Sequence, residues 1–145
     1  MLAQESVSWA GALAVAAFVG LLMVGTGFVI IGIANRAAGG NLVKNQVAGI
    51  RTKATLSSDE AWLAAHQAGR YWTVVAGWLS IAAGIVPMLV GVAMATFDVG
   101  TANNFVIIWV ALLMTGVVAL MAAVIVGAVQ GNRAAKAIHD SNPLA

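Results

Sequence analysis

The sequence contains three long stretches without a single charged side chain, at residues 9–34, 71–96 and 105–130. Each stretch has about 26 residues, and a helix that rises ~1.5 Å per residue would carry it over ~39 Å. The hydrocarbon core of a bilayer is ~30 Å thick, so each stretch is long enough to cross it. Charged residues make up only 8% of the chain and apolar residues 61%, which leaves too little polar surface to enclose a water-soluble core. The sequence therefore predicts an all-α membrane protein with three transmembrane helices in a single domain, residues 1–145.

The first of these helices is expected to remain in the mature protein. A cleaved signal peptide begins with basic residues and has an apolar core of only about 7–15 residues. Residues 1–8 carry Glu5 and no lysine or arginine, and the apolar stretch that follows is much longer than such a core. Gly39 and Gly40 then favour a helix end, because glycine adopts the left-handed cap conformation without steric cost.

The basic residues are distributed unevenly along the chain, and their positions predict its orientation. The loop at residues 36–70 and the tail at residues 131–145 contain all of them, whereas the N-terminal residues and the second loop, residues 97–104, contain none. Short loops rich in lysine and arginine stay on the cytoplasmic side of a membrane. We therefore expect a multi-pass protein with its N-terminus outside and its first loop and C-terminus inside. The basic residues are Arg36, Lys44, Arg51, Lys53, Arg70, Arg133 and Lys136.

The first loop carries the signals of a helix start. Ser57 and Glu60 have the spacing of a capping box, in which each side chain bonds to the backbone N–H of the other residue. This pattern predicts a short amphipathic helix in the cytoplasmic loop, from Ser58 to about Ala68, which either ends there or runs through Gly69 into the second span. Side chains four positions apart share one side of such a helix, and here they are Trp62, His66 and Arg70. The indole N–H of Trp62 is expected in water at the headgroup boundary.

Small residues recur at regular intervals in the second and third apolar stretches. Between helices in lipid, such residues allow the close backbone approach on which packing depends. The interval is seven residues in the second stretch and four in the third. The predicted helix-packing residues are Gly77, Gly84, Gly91, Ala119, Ala123 and Gly127. The pattern does not decide whether they meet a helix of the same chain or of another protein.

The sequence offers no set of residues for catalysis or metal binding. It has no cysteine, and His66 and His139 are its only histidines. A zinc site needs three or four ligands, and a nucleophile needs an oriented base. Charged side chains at membrane depth mark ion and substrate pathways, and the three apolar stretches contain none. We therefore expect neither an enzyme nor a self-contained transporter, with no metal, no other cofactor and no nucleic-acid partner.

The first loop holds most of the polar side chains and is the predicted binding site of the protein. Its basic residues Lys44, Arg51 and Lys53 can bind anionic lipid headgroups, bind a specific protein partner, or pair with Asp59 and Glu60. The residues alone leave these alternatives open. The predicted partner- or lipid-binding residues are Asn45, Gly49, Arg51, Thr52, Lys53, Thr55, Ser57, Trp62 and His66.

The order and spacing of these loop residues resemble those of a known family. The pattern runs from Asn45 through Gly49-Ile50-Arg51-Thr52, Thr55 and Ser57 to Trp62 and His66. It is similar to the segment that precedes a pair of membrane helices in the SdpI family of small bacterial integral membrane proteins. With the first helix and the two later ones, the resemblance covers nearly the whole chain.

The resemblance implies a protein of the bacterial cytoplasmic membrane without catalytic or ligand residues. The known role in that family is immunity against a secreted toxic peptide, combined with holding a transcriptional repressor at the membrane. A first hypothesis is therefore toxin immunity or signalling through the cytoplasmic loop. The alternative is a structural accessory subunit of a larger membrane complex, docked through its glycine and alanine faces. The expected partners are membrane lipids and a protein: a repressor, a toxin peptide or the larger complex.

Overall fold

The computed structural model describes residues 7–45 and 47–141 and consists of three helices. They are α1 (Trp9–Ala38), α2 (Asp59–Thr96) and α3 (Ala102–Ser141). Each helix is long and apolar enough to cross a membrane, and the described residues contain no strand. The prediction of an all-α membrane protein with three transmembrane helices is confirmed.

The end of α1 fixes where the first loop begins. Gly40 has a φ of 73°, and the Asn41 N–H reaches back to the Arg36 carbonyl over 2.9 Å. This pattern is a Schellman motif, in which a left-handed residue reverses the chain and bonds carbonyls that the helix leaves open. The helix end predicted from Gly39 and Gly40 is therefore present, and the chain leaves α1 directly into the loop.

The second helix lies between the other two and packs along both of them, whereas α1 and α3 touch each other very little. The contact of α1 with α2 is made by glycine pairs. A Cβ atom added to Gly84 would lie 2.5 Å from the Gly20 carbonyl oxygen, and one added to Gly77 would lie 2.9 Å from that of Gly27. Neither position has room for a side chain, so the two backbones approach as closely as glycine permits.

A buried hydroxyl strengthens this contact at membrane depth. Ser80 of α2 is fully buried and donates to the Met23 carbonyl of α1 over 2.7 Å. Hydroxyls in membrane helices usually bond to a carbonyl of their own helix, as Thr115 does with Ala111. Ser80 instead connects two helices, and it lies on the same face of α2 as Gly77 and Gly84.

The ends of the bundle differ. We call the end at which α1 stops and α2 starts the loop end, and the other the hairpin end. At the hairpin end α1 and α3 meet, because Trp9 stacks on the buried ring of Phe105 with centroids 5.9 Å apart. Ala12, Ala16 and Ala102 are buried around this contact.

At the loop end the helices are longer than a bilayer requires. A helix of 38 residues such as α2 extends ~57 Å, well beyond the ~30 Å of a hydrocarbon core. Its first turns, residues 59–70, pack with the last turns of α3, residues 131–141, and with the loop at residues 39–58. Ala54, Ala61, Ala65 and Ala135 form the buried centre of this layer. We call the three segments together the loop cap.

One detail of the prediction for this layer is wrong. The N-cap is Ser58, whose hydroxyl accepts the Ala61 N–H over 3.0 Å, while the Ser57 hydroxyl donates to the Ala54 carbonyl. The predicted loop helix continues through Gly69 into the second span as the first turns of α2, and a separate short helix is not formed. Residues 131–141 of the predicted tail are helical and continue α3.

Candidate functional site: the loop and its anchors on the second helix

A histidine of α2 holds the middle of the loop. The His66 Nε2 atom accepts the backbone N–H of Ile50 over 2.9 Å, and Nδ1 lies 2.7 Å from the Trp62 carbonyl. Because Nε2 accepts a hydrogen bond, the ring is neutral and its proton is on Nδ1, which donates to that carbonyl. Both nitrogens are thus used in holding the loop.

His66 lies in the loop cap, outside the apolar stretch of α2 that crosses the membrane. Burial lowers the pKa of His66 below the usual histidine value, because the charged form loses its hydration. The hydrogen bond to the Trp62 carbonyl raises the pKa and is the smaller effect. The environment therefore favours the neutral ring that the loop requires.

Trp62 is the second anchor. Its side chain is 3% exposed, and its indole N–H donates to the Leu42 carbonyl over 3.0 Å. The expectation that this N–H lies in water at the headgroup boundary is therefore wrong. The rings of Trp62 and His66 lie 4.2 Å apart, and Gly49 packs against both with a φ of 103°. A side chain at this position would collide with the imidazole. Only glycine therefore lets the loop pass this close to the two rings.

Polar side chains within the loop bond mainly to the loop's own backbone. Asn45 accepts the N–H groups of Val47 and Ala48, each over 2.8 Å. Thr55 is fully buried, and its hydroxyl accepts the Thr52 N–H over 2.8 Å. These bonds hold the described residues around them, 47–48 and 52–55, in turns. They satisfy the polar side chains of Asn45, Thr52 and Thr55 within the loop.

The cations of the loop have different surroundings. Lys44 lies 3.4 Å from Asp59, an exposed pair of the kind that adds little stability. Arg51 and Lys53 are both exposed. They place positive charge on the outer surface of a loop whose backbone is anchored beneath them.

Ile50 is a core residue of this site. A Cβ atom added to Gly69 of α2 or to Gly131 of α3 would lie 2.6 Å from the Cδ1 atom of Ile50. The isoleucine therefore inserts into the space left by two glycines on different helices. Its backbone is bonded to His66 and its side chain is wedged between α2 and α3, so one residue couples the loop to both helices.

A cleft of about 390 Å³ lies next to the loop. Its walls come from α1 and α3, with Thr73 of α2 also lining it, and the segment Gly49–Thr52 forms its edge at the loop end. The described residues include no group of three histidine, aspartate or glutamate side chains that could hold a metal ion. The arrangement is an anchored loop with exposed cations and an adjoining cleft.

Residues 41–128 match the model of the SdpI/YfhL protein family, and this match covers more than half of the chain. The chain belongs to the SdpI/YfhL family. No curated protein and no solved structure matches it. The match starts in the loop, includes all of α2 and ends within α3, so α1 lies outside it although the resemblance was expected to reach the first helix.

In this SdpI/YfhL protein the predicted loop residues have three separate placements. Four of them bond within the loop itself: Asn45, Thr52, Thr55 and Ser57. Gly49, Trp62 and His66 come together in the contact between loop and helix. Arg51 and Lys53 lie on the surface. The matched region thus contains both the anchor and the surface it supports.

The sequence did not predict that Ile50 packs between Gly69 and Gly131, three residues from the three segments of the loop cap. Part of the signal was present, since Ile50 belongs to the loop pattern and Gly131 continues the four-residue interval of Ala123 and Gly127. Pairing them required the observation that α3 stays helical beyond residue 130.

Proposed function

We propose that this SdpI/YfhL protein is a non-enzymatic signalling or toxin-immunity protein of the bacterial cytoplasmic membrane that acts through its first loop. The proposal assigns the loop cap to the cytoplasmic side, because it holds six of the seven lysines and arginines of the chain, and the seventh, Arg36, lies in the last turn of α1 beside it. In this orientation Arg51 and Lys53 face a cytoplasmic protein partner, and the hairpin end faces outward.

The observation that supports the proposal is the anchoring of the loop. Hydrogen bonds from Ile50 to His66 and from Trp62 to Leu42 fix its backbone, while two cations stay exposed. A surface that is ordered before binding loses less conformational entropy when a partner docks. Because Ile50 also contacts Gly131 of α3, a change in helix packing would reach the same surface.

The accessory-subunit alternative has less support. It requires the glycine faces to be available for another protein, but Gly77 and Gly84 contact α1 of the same chain. Ala123 and Gly127 are likewise buried, and a Cβ atom on Gly127 would meet Gly69 of α2. These faces are used within the monomer.

A survival assay tests the proposal. A bacterium sensitive to a secreted membrane-active peptide is made to express either the wild-type chain or Lys53→Glu, which reverses an exposed charge without touching an anchor. We expect expression of the wild-type chain to raise survival. At equal abundance in the membrane, Lys53→Glu should lose most of this increase in survival. Asp140→Asn, an exposed charge change on α3, serves as the matched control and should protect like wild type. Unchanged killing with the wild-type chain, or equal protection by Lys53→Glu, would overturn the proposal.

A further inference from the structure

The cleft beside the loop has the shape of a binding site for a single chain-like molecule. Its volume of about 390 Å³ falls within the range of roughly 300–1,000 Å³ typical of ligand sites. Ile30 and Ile33 of α1 form one wall, and Val124 and Ala128 of α3 form the other. The walls are therefore aliphatic and suit a hydrocarbon.

The cleft lies where the outer helices are apart. Trp9 and Phe105 join α1 and α3 at the hairpin end, and overall each of the two helices contacts α2 far more than it contacts the other. Near the loop end they leave a gap over α2. Since this gap opens between membrane-spanning helices, the surrounding solvent is lipid and the matching occupant is an acyl chain.

The edge of the cleft at the loop end is polar and positively charged. Arg51 and Thr52 line it there, and Thr73 of α2 also belongs to the lining. A guanidinium group presents a planar set of N–H donors that matches the oxygens of a phosphate. The aliphatic walls match the acyl chain of a phospholipid, and the arginine at the edge matches its phosphate.

Charge decides between an anionic and a neutral headgroup. The loop end carries all seven lysines and arginines of the chain but only three of its five acidic residues, Asp59, Glu60 and Asp140. This excess of positive charge attracts anionic lipid at the membrane surface. A zwitterionic headgroup gains less binding energy, because its own cationic group is repelled by the same positive charge.

We infer that the cleft between α1 and α3 binds one anionic phospholipid, with an acyl chain between the two helices and the phosphate at Arg51. This inference goes beyond the proposed function, because it depends on the cleft and not on a protein partner. Bound lipid would contact Gly49–Thr52 directly and so add to the forces that hold the loop.

Native mass spectrometry tests this site. The protein in a non-ionic detergent is titrated with dioleoyl-phosphatidylglycerol, dioleoyl-phosphatidylcholine or glycerol 3-phosphate. We expect one phosphatidylglycerol per chain to bind at least tenfold more tightly than phosphatidylcholine, with no binding or competition by glycerol 3-phosphate. Equal affinity for the two lipids would overturn the inference. Competition by glycerol 3-phosphate would replace it with a phosphate site that needs no acyl chain.

Two pairs of variants locate the lipid. Arg51→Gln should weaken phosphatidylglycerol binding roughly tenfold, the scale of one charge-assisted hydrogen bond. Its control is Arg133→Gln, an equal loss of charge on α3, nine positions and hence about half a turn around the helix from Val124. Ala128→Leu should fill the cleft and weaken binding, whereas Ala122→Leu on the exposed side of α3 should not.

The comparison within each pair decides the outcome. Equal effects of Arg51→Gln and Arg133→Gln would mean a general attraction of charge and would contradict the site. Unchanged binding to Ala128→Leu would place the acyl chain elsewhere. Thermal unfolding by circular dichroism identifies any variant that fails to fold. The pair Arg51→Gln and Arg133→Gln is compared independently of Ala128→Leu, so the test stays valid if that variant is lost.

Discussion

His66 stabilises the loop only in its neutral form. Its Nε2 atom must accept the Ile50 N–H, and a proton on Nε2 would place two donors against each other. Burial lowers the pKa of this ring, so the folded state binds the proton less readily than the unfolded state does. The contribution of His66 is therefore complete above the usual histidine pKa of about 6.5 and is lost as the pH falls through the lower value of the folded protein.

The loop should accordingly loosen in acid. We expect hydrogen exchange at the Ile50 amide, corrected for the intrinsic pH dependence of exchange, to accelerate as the pH falls below about 6.5. A His66→Phe variant lacks the acceptor, so it should exchange faster at neutral pH and show no such acceleration. The control is His139→Phe, which changes an exposed histidine near the end of α3 and should behave like wild type. A pH response that survives in His66→Phe would exclude His66 as its origin.

Gly49 is the second residue on which the loop depends. Alanine at this position would have to adopt a φ of 103° and place its Cβ against the His66 ring. Left-handed backbone and overpacking each cost roughly 1–3 kcal/mol. We expect Gly49→Ala to lower the free energy of unfolding by about 2 kcal/mol or more, measured by denaturation in mixed micelles. Gly25→Ala is the control, since no atom lies within 4 Å of the added Cβ.

At the scale of helices, packing depends on backbone approach between α1 and α2. The seven-residue interval of Gly77 and Gly84 indicated a packing face, and Gly20 and Gly27 have the same interval in α1. The sequence could not show that the two sets face each other, because the register of two helices depends on the loop between them. The anchors of that loop could not be inferred either, because each joins residues far apart in sequence. The Trp62 bond spans 20 positions and the His66 bond spans 16.

This contact should tolerate almost no added volume. Gly84→Ala would place a methyl group 2.5 Å from the Gly20 carbonyl oxygen, and the helices would have to separate. We expect a loss of about 1–3 kcal/mol in the free energy of unfolding, measured by titration with sodium dodecyl sulfate. Gly32→Ala on α1 has no neighbour within 4 Å and should be neutral or slightly stabilising, since alanine favours a helix more than glycine does. If Gly84→Ala and Gly32→Ala had equal free energies of unfolding, the contact between Gly84 and Gly20 would not stabilise the packing of α1 on α2.

Across the whole molecule, the membrane layer was predictable and the loop cap was not. Uncharged stretches define spans because a bilayer sets both their length and their composition. The loop cap instead forms where α2 and α3 continue past the bilayer, and residues 131–141 look polar enough in sequence to end α3. Ala65 and Ala135, both completely buried, show that they pack as a small core. Alanine gives little hydrophobic signal, so this core could be found only from the structure.

The orientation of the molecule can be measured directly because the chain has no cysteine. Lys53→Cys and Val99→Cys each introduce one thiol, at an exposed residue of the loop cap and at an exposed residue of the hairpin end. With the positive charge inside, a membrane-impermeant maleimide should label Val99→Cys in intact cells and Lys53→Cys only after permeabilisation. Labelling of denatured samples confirms that both thiols are present. Reaction of Lys53→Cys in intact cells would reverse the topology, and a cytoplasmic partner for Arg51 and Lys53 would then be impossible.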